Sequence, residues 1–180
     1  MLERLGAATL STDAVVHALY EDPEVVAAVV ERWGEDVAAD GRVDRAKLAG
    51  RAFATGADRE WLEGLLWPRV GARVASWREE VGEREPPPVA AVVEVPLLFE
   101  AGMDAIFDAT IAVTAREEVR AERAGARGHA SVDERHARQL PQEEKASRAT
   151  FAVVNDGGVD ELETRLSEVL DELRRRILAS

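Results

Sequence analysis

The chain has 180 residues, of which 46% are hydrophobic and 32% charged, a composition that suits one soluble domain or a domain with a small insertion. Its formal net charge of −12 argues against a general nucleic-acid binder, and the lack of cysteine excludes disulfides and thiolate chemistry. No apolar run approaches the ~18 residues that span a membrane and no signal-peptide pattern is present, so a cytoplasmic location is predicted.

The first residues predict the end of a helix followed by a short strand. Residues 2–5 suit a helix tail, Gly6 suits its cap, and residues 8–11 form a short apolar run. Asp13 follows this run directly. Ligands of open α/β sheets bind at the carboxyl ends of strands, so Asp13 is a candidate to accept a hydroxyl proton or to hold Mg²⁺. The alternative is that Asp13 is the N-cap of a helix over residues 14–20.

Residues 22–84 are predicted to form a helical block. Asp22-Pro23 is a typical helix start, and the valines that follow form an apolar stripe that ends at Gly34. Asp40-Gly41 indicates a turn, and the prolines at 86–88 end the block. Three more helices are predicted, over residues 44–53, 58–66 and from Pro68 to about 81.

The second half of the chain alternates strands with helices. Short, continuous apolar runs at residues 89–95, 110–113 and 151–154 are typical of strands buried on both faces of a parallel sheet. Helical patterns cover residues 116–127, 131–139 and 160–178. This alternation predicts an α/β fold with a parallel sheet flanked by helices.

Three segments of this half contain candidate site residues, and each has a structural alternative. Pro96 ends a predicted strand, and Leu97, Leu98 and Phe99 after it either line a ligand pocket or pack in the core. Arginines concentrate between residues 116 and 148, which suits phosphate binding but also a salt-bridged, exposed helix. The segment 155–158, Asn-Asp-Gly-Gly, permits close approach of the backbone to a ligand or is a plain loop. The three histidines lack metal-ligand spacing, and no residue is assigned as a metal ligand.

In this order, the motifs resemble those of the dephospho-coenzyme A kinase family over nearly the whole chain. The most distinctive match is the string Val-Pro-Leu-Leu-Phe-Glu at residues 95–100. Leu5-Gly6-Ala7 followed by Asp13 also resembles the family pattern, with Ser11 in the place of its first acid. The other matching residues are Trp33-Gly34, Asp40-Gly41, Asp44-Arg45, Leu48, Leu65-Leu66-Trp67-Pro68 (with Trp67 where the family has His), Arg123, Arg127, Arg135, Gln139, Pro141, Glu144-Lys145, Arg148-Ala149, Asn155 and Gly157.

The resemblance implies a P-loop kinase fold over residues 1–180, with residues 22–84 as an acceptor-binding block and residues 116–148 as a lid region. It implies transfer of the γ-phosphoryl group of ATP, with Mg²⁺, to the 3′-hydroxyl of dephospho-coenzyme A. Asp13 would orient or deprotonate that hydroxyl, and Arg123 and Arg127 would stabilise charge on the transferring phosphate. The acceptor-site residues implied are Pro96, Leu97, Leu98 and Phe99, and the nucleotide-site residues implied are Asn155 and Gly157.

One part of the family pattern is absent from the sequence. The family begins with a strand and a Gly-x-x-x-x-Gly-Lys-Ser/Thr loop, whose N–H groups wrap the phosphates. This motif occurs nowhere in the 180 residues, so we expect that roughly 20 residues of the family pattern are missing and that the chain alone has little kinase activity. The alternatives are another P-loop nucleotide or nucleoside kinase, or a non-catalytic relative that binds coenzyme A-like ligands.

Overall fold

The computed structural model describes residues 1–126 and 139–178. They divide into two compact units. One, here named the helical unit, spans Ala8–Val95, and the other, here named the C-terminal unit, contains Met1–Ala7 and the chain from Pro96 onward. None of the helices in the described ranges is both long and apolar enough to cross a bilayer.

The helical unit contains one parallel strand pair, one short hairpin and four α-helices among its residues. The parallel pair joins the first and last strands of the unit, with Ser11 opposite Glu94. The elements in chain order are β1 (Ala8–Ser11), α1 (Thr12–Leu19), α2 (Pro23–Trp33), a 3-10 helix (Glu35–Val37), β2 (Ala38–Ala39), β3 (Arg42–Val43), α3 (Arg45–Ala52), α4 (Gly56–Gly82) and β4 (Ala91–Glu94).

Local sequence signals set the starts of two of these helices. The Asp22 carboxylate accepts the backbone N–H groups of Glu24 and Val25, which confirms the predicted start of α2. Asp44 caps α3 in the same way. Between them, Asp40 and Gly41 have φ angles of 52° and 74° and connect β2 to β3, which confirms the predicted turn and suits a two-residue hairpin loop.

Helix α4 corrects one prediction. The prediction of two separate helices, over residues 58–66 and from Pro68 to about 81, is wrong. Helix α4 runs unbroken from Gly56 to Gly82 through Pro68. A proline inside a helix costs about 3 kcal/mol, but a single buried stripe continues on both sides of it, and each buried aliphatic side chain contributes about 2 kcal/mol. The members of that stripe are Leu62, Leu66, Val70, Val74, Trp77 and Val81.

The core of the helical unit forms where α2, α3 and α4 meet. Val25 and Val29, from the predicted valine stripe of α2, have no exposed surface, and Leu48 of α3 is 2% exposed. They pack in one cluster with Leu62 and Leu66 of α4. The predicted helical block therefore has its own apolar interior.

The C-terminal unit contains the second parallel strand pair, in which Thr114 lies opposite Val154. Its described elements are a 3-10 helix (Leu2–Leu5), a second 3-10 helix (Asp104–Ile106), β5 (Ile111–Thr114), α5 (Glu117–Ala126), α6 (Gln142–Arg148), β6 (Phe151–Val154) and α7 (Val159–Leu178). Gly6, with φ of 84°, caps the first 3-10 helix as predicted, and Arg4 pairs with Glu163 of α7 at 2.5 Å.

The predicted fold class is confirmed. Both longer strand pairs are parallel, and helices pack against them, as the alternation of apolar runs with helical patterns indicates. The helix predicted over residues 131–139 lies almost entirely outside the described residues.

Candidate functional site

Asp13 lies next to the carboxyl ends of β1 and β4. The Thr12 hydroxyl is buried and donates a 2.9 Å hydrogen bond to the Glu94 carbonyl, which ties the start of α1 to the end of β4. Asp13 follows in the first turn of α1 and is exposed. None of the described residues forms a hydrogen bond or ion pair with its carboxylate. The carboxylate is therefore held at the strand ends and open to a ligand.

The alternative role of Asp13 as a helix cap is wrong. The N-cap of α1 is Ser11, and α1 already begins at Thr12, so Asp13 lies inside the helix. An acidic residue in a first turn still interacts favourably with the helix dipole, but this interaction requires no fixed contact.

A cavity of about 1090 Å³ opens at the carboxyl ends of β5 and β6 in the C-terminal unit. This is the edge at which α/β proteins bind ligands. Its lining includes Thr114 from the end of β5, Arg123 from α5, and Asn155 and Gly157 from the turn after β6. The structure thus brings together three residues that the sequence places in the site.

Arg123 clamps the turn that follows β6. Its Nη1 donates to the Asn155 carbonyl at 2.7 Å, and its Nη2 donates to the Gly157 carbonyl at 2.9 Å. A guanidinium has five N–H groups in a rigid fork, so three of them remain after these two bonds. The same group can therefore fix the turn and still donate to an anion in the cavity.

Two further contacts fix the same turn. The backbone N–H of Asn155 donates to the Thr114 carbonyl at 2.7 Å. The Asp156 carboxylate accepts the backbone N–H of Arg116 at 2.7 Å and its side-chain Nε at 3.2 Å. All three residues of the turn are bonded to the segment that runs from the end of β5 into α5. The turn is therefore not a loose loop.

The loop Pro96–Phe99 follows β4 in the chain. Pro96 is exposed, Leu97 and Leu98 are half-buried, and Phe99 is 7% exposed with the Arg148 guanidinium 4.8 Å from its ring centre. The two leucines therefore remain partly accessible to a ligand, whereas Phe99 packs in the interior of the unit.

Glu100 and Lys145 form a largely buried ion pair next to this loop. Lys145 Nζ lies 2.8 Å from Glu100 Oε1, and the two side chains are 19% and 14% exposed. Lys145 also donates to the Pro96 carbonyl at 3.0 Å, and Glu100 Oε1 accepts the backbone N–H of Leu140 at 2.8 Å. Burial raises the pKa of the Glu100 carboxyl, but the hydrogen bonds from Lys145 and Leu140 outweigh it and hold the pKa below its usual value.

Comparison with known proteins identifies the family. The family model for dephospho-CoA kinase matches residues 1–161. The chain belongs to the dephospho-CoA kinase family.

Individual relatives agree with this assignment. The chain is 37% identical to the dephospho-CoA kinase of Deinococcus radiodurans over 176 residues, which cover 96% of this chain and 84% of the relative. It is 35% identical to the dephospho-CoA kinase of Nitrobacter winogradskyi over 173 residues, 94% of this chain and 85% of the relative.

Solved structures agree as well. A crystal structure of a Thermus thermophilus protein matches with a TM-score of 0.73 at 33% identity, covering 96% of this chain and 87% of that one. A dephospho-CoA kinase from Campylobacter jejuni shares the fold, with a TM-score of 0.68 at 22% identity, covering 96% and 88%. The fold is that of the P-loop kinases.

Within this dephospho-CoA kinase family member, the arginines between residues 116 and 148 have different partners. Arg120 pairs with Glu117 at 2.7 Å, as expected for a salt-bridged surface helix. Arg116 and Arg123 instead hold the turn after β6, and Arg148 lies over Phe99. Arg127 and Arg135 lie outside the described residues. Neither alternative, phosphate binding or a salt-bridged exposed helix, therefore describes all the arginines of this segment.

The pairing of Glu100 with Lys145 was not predicted from the sequence. Glu100 ends the most distinctive family string and Lys145 belongs to a second motif, so a search for opposite charges among the matching motifs was the available signal. No group of three or more acidic or histidine side chains suited to a metal occurs among the described residues.

Proposed function

We propose that this chain provides the acceptor-activating and nucleotide-binding groups for transfer of the γ-phosphoryl group of ATP to the 3′-hydroxyl of dephospho-CoA. The observation that carries the proposal is Asp13, an exposed carboxylate without a described partner, fixed at the carboxyl ends of two parallel strands. No described side chain or backbone group occupies the carboxylate, so it is free to bind a ligand. One that acts on a hydroxyl must be open to it.

The proposed role of Asp13 is to accept a hydrogen bond from the ribose hydroxyl and to take its proton as the oxygen attacks the phosphorus. Phosphoryl transfer depends on positioning and charge neutralisation more than on covalent help from the protein. The Thr12–Glu94 hydrogen bond supports this role because it fixes the backbone from which Asp13 projects.

The cavity at the ends of β5 and β6 is the proposed site of the nucleotide. The turn Asn155–Gly157 would lie near the adenine, and the N–H groups that Arg123 does not use on the turn would donate to phosphate oxygens. Because the clamp fixes the guanidinium before the nucleotide arrives, little reorganisation is needed as charge develops. Arg127 is proposed, from the family motif alone, to act on the same phosphate.

The loop Pro96–Phe99 and the helical block 22–84 are each proposed, from the family motifs alone, to contribute to acceptor binding. Mg²⁺ would neutralise phosphate charge when bound, as in other phosphoryl-transfer enzymes. Each of the described residues named above acts by binding, orienting or accepting a proton.

A cytoplasmic location and the absence of a nucleic-acid partner belong to the same proposal and rest on composition and charge.

The test uses a loop-extended chain, in which the family's strand and Gly-x-x-x-x-Gly-Lys-Ser/Thr loop are joined in frame before residue 1. Given ATP and Mg²⁺, this chain should convert dephospho-CoA to coenzyme A, detected by mass spectrometry. Nucleosides and nucleoside monophosphates are assayed alongside as acceptors. Faster phosphorylation of one of these would show a different kinase, and binding of dephospho-CoA without turnover would show a non-catalytic relative.

A further inference from the structure

The carbonyl groups of the loop Pro96–Phe99 are all engaged by donors of the C-terminal unit. Three backbone donors follow directly after the loop: Ala101 N–H bonds the Leu97 carbonyl at 3.0 Å, Met103 N–H bonds the Leu98 carbonyl at 3.0 Å, and Gly102 N–H bonds the Phe99 carbonyl at 3.2 Å. The carbonyls at its two ends are bonded from a distant helix. Lys145 donates to Pro96 at 3.0 Å, and Arg148 reaches Phe99 at 3.5 Å. Helix α6 therefore supplies the donor for the first end of the loop, at Pro96, and adds a longer contact at Phe99, which Gly102 already bonds.

Helix α6 is in turn fixed to the end of β5. The Gln142 side-chain amide accepts the N–H of Ala115 at 2.9 Å and donates to the Ala115 carbonyl at 2.9 Å, as a neighbouring peptide group would. This pair of hydrogen bonds restrains the position of α6 along the strand. The support for the loop thus rests on the parallel strand pair.

The bond from Lys145 to the Pro96 carbonyl requires only a hydrogen-bond donor and not a positive charge. The Lys145 ammonium is paired with Glu100, which directly follows the loop, and Glu100 also bonds the N–H of Leu140, just before α6. A buried ion pair of this kind contributes little net stability compared with apolar residues of the same size. It does restrict the geometry, because two separate backbone positions, Pro96 and Leu140, must match one pair of side chains.

We infer that Lys145, oriented by Glu100, is a positioning residue that holds the Pro96–Phe99 loop in place for the phosphoryl acceptor. The inference rests on the proposed function, in which this loop contributes to the binding of dephospho-CoA. Lys145 acts through the loop and does not touch the acceptor in this role. Loss of its bond to Pro96 frees the first end of the loop and should weaken acceptor binding without affecting the nucleotide site.

The experiment measures dephospho-CoA binding by calorimetry for the 180-residue chain and for the double variant Glu100→Gln/Lys145→Met. The double variant avoids an unpaired buried charge, and the amide oxygen introduced at position 100 still accepts the Leu140 N–H, so the variant should fold. We expect its Kd for dephospho-CoA to rise about tenfold or more, because displacement of a positioning group by about 1 Å has large effects. The control Glu172→Gln breaks ion pairs of α7 with Arg175 and Arg176 and should leave this Kd unchanged.

A second measurement does not depend on the ligand. Amide hydrogen exchange at Ala101 and Met103, which bond the loop carbonyls, should accelerate in the double variant and stay unchanged in Glu172→Gln. An unchanged Kd in the double variant would overturn the inference and leave the proposed function standing. If the unaltered chain fails to bind dephospho-CoA, both the inference and the proposed acceptor site are wrong.

Discussion

Arg123 holds Asn155 by its backbone and not by its side chain, with 2.7 Å between the guanidinium Nη1 and the carbonyl oxygen. A second bond to the Gly157 carbonyl makes the contact bidentate. The family motif Asn-x-Gly and Arg123 are thus parts of one arrangement. In the proposed nucleotide site, Arg123 would bind phosphate and fix the turn at the same time.

Two substitutions at Arg123 separate these contributions. In the loop-extended chain, Arg123→Gln removes the charge and should lower phosphoryl transfer by roughly 10³-fold, by analogy with other arginines that neutralise transferring phosphates. Arg123→Lys keeps the charge but loses the fork, so we expect it mainly to raise the KM for ATP. Arg175→Gln is the control, because Arg175 is exposed on α7 and pairs there with Glu172. Normal turnover in Arg123→Gln would mean that Arg123 only stabilises the turn.

Asp13→Asn should lower kcat in the loop-extended chain far more than it changes the KM for ATP. The amide is nearly the same size but cannot take the proton of the attacking hydroxyl. Steady-state kinetics on the variant and on Asp171→Asn, an exposed aspartate of α7, make the comparison. A change in kcat of less than about threefold, which is under 1 kcal/mol, would contradict a catalytic role for Asp13.

The 180-residue chain without the added loop should transfer phosphate at least about 10²-fold more slowly than the loop-extended chain. Its sequence contains no Gly-x-x-x-x-Gly-Lys-Ser/Thr motif, and losing preorganised donors of that type costs this much or more in rate. Initial rates on the two proteins, at equal ATP and dephospho-CoA, provide the measurement. Comparable rates would show that other groups bind the phosphates.

Neighbouring residues of α3 test the core of the helical unit. Leu48→Ala should lower the free energy of unfolding by about 3 kcal/mol, because Leu48 is 2% exposed in the main apolar cluster. Lys47→Ala is the matched control, since its exposed side chain pairs with Asp44 only at 4.0 Å and should change stability by less than about 0.5 kcal/mol. Urea unfolding followed by circular dichroism compares them. Equal costs would mean that the cluster does not stabilise the unit.

Glu100 predicts a specific dependence of stability on pH. Its pKa in the folded chain lies below the ordinary value of 4.5, so the folded state binds this proton less readily than the unfolded state. The stabilisation is therefore complete above about pH 4.5 and is lost as the pH falls through the folded-state pKa. Melting curves for the chain and for Glu100→Gln should differ at neutral pH and converge at acid pH. A constant difference would show that another group is responsible.

The sequence predicted those elements whose signals are local. The apolar runs at β5 and β6 and the cap at Asp22 depend on a few consecutive residues, and the structure confirms them. The predicted helix boundary at Pro68 is wrong because the local breaker signal of the proline is outweighed by a buried stripe along all of α4.

Contacts between distant residues could not be predicted in this way. The Glu100–Lys145 pair and the clamp from Arg123 to Asn155 join elements that meet only after the chain has folded, and no local pattern specifies their geometry. The family resemblance placed residues such as Arg123, Asn155 and Gly157 in one site without giving their contacts. The roles of Asp13 and the Pro96–Phe99 loop remain predictions for the assays above.

All four tryptophans, Trp33, Trp61, Trp67 and Trp77, lie in the helical unit. Trp77 is 4% exposed, whereas Trp67 is 52% exposed, so the emission combines a shielded and a solvated population. Tyr20, the chain's one tyrosine, lies in the same unit. Intrinsic tryptophan fluorescence therefore reports the melting of Ala8–Val95 alone, whereas far-ultraviolet circular dichroism reports helices of both units. A difference between the two midpoints would measure directly how independently the two halves of this kinase relative unfold.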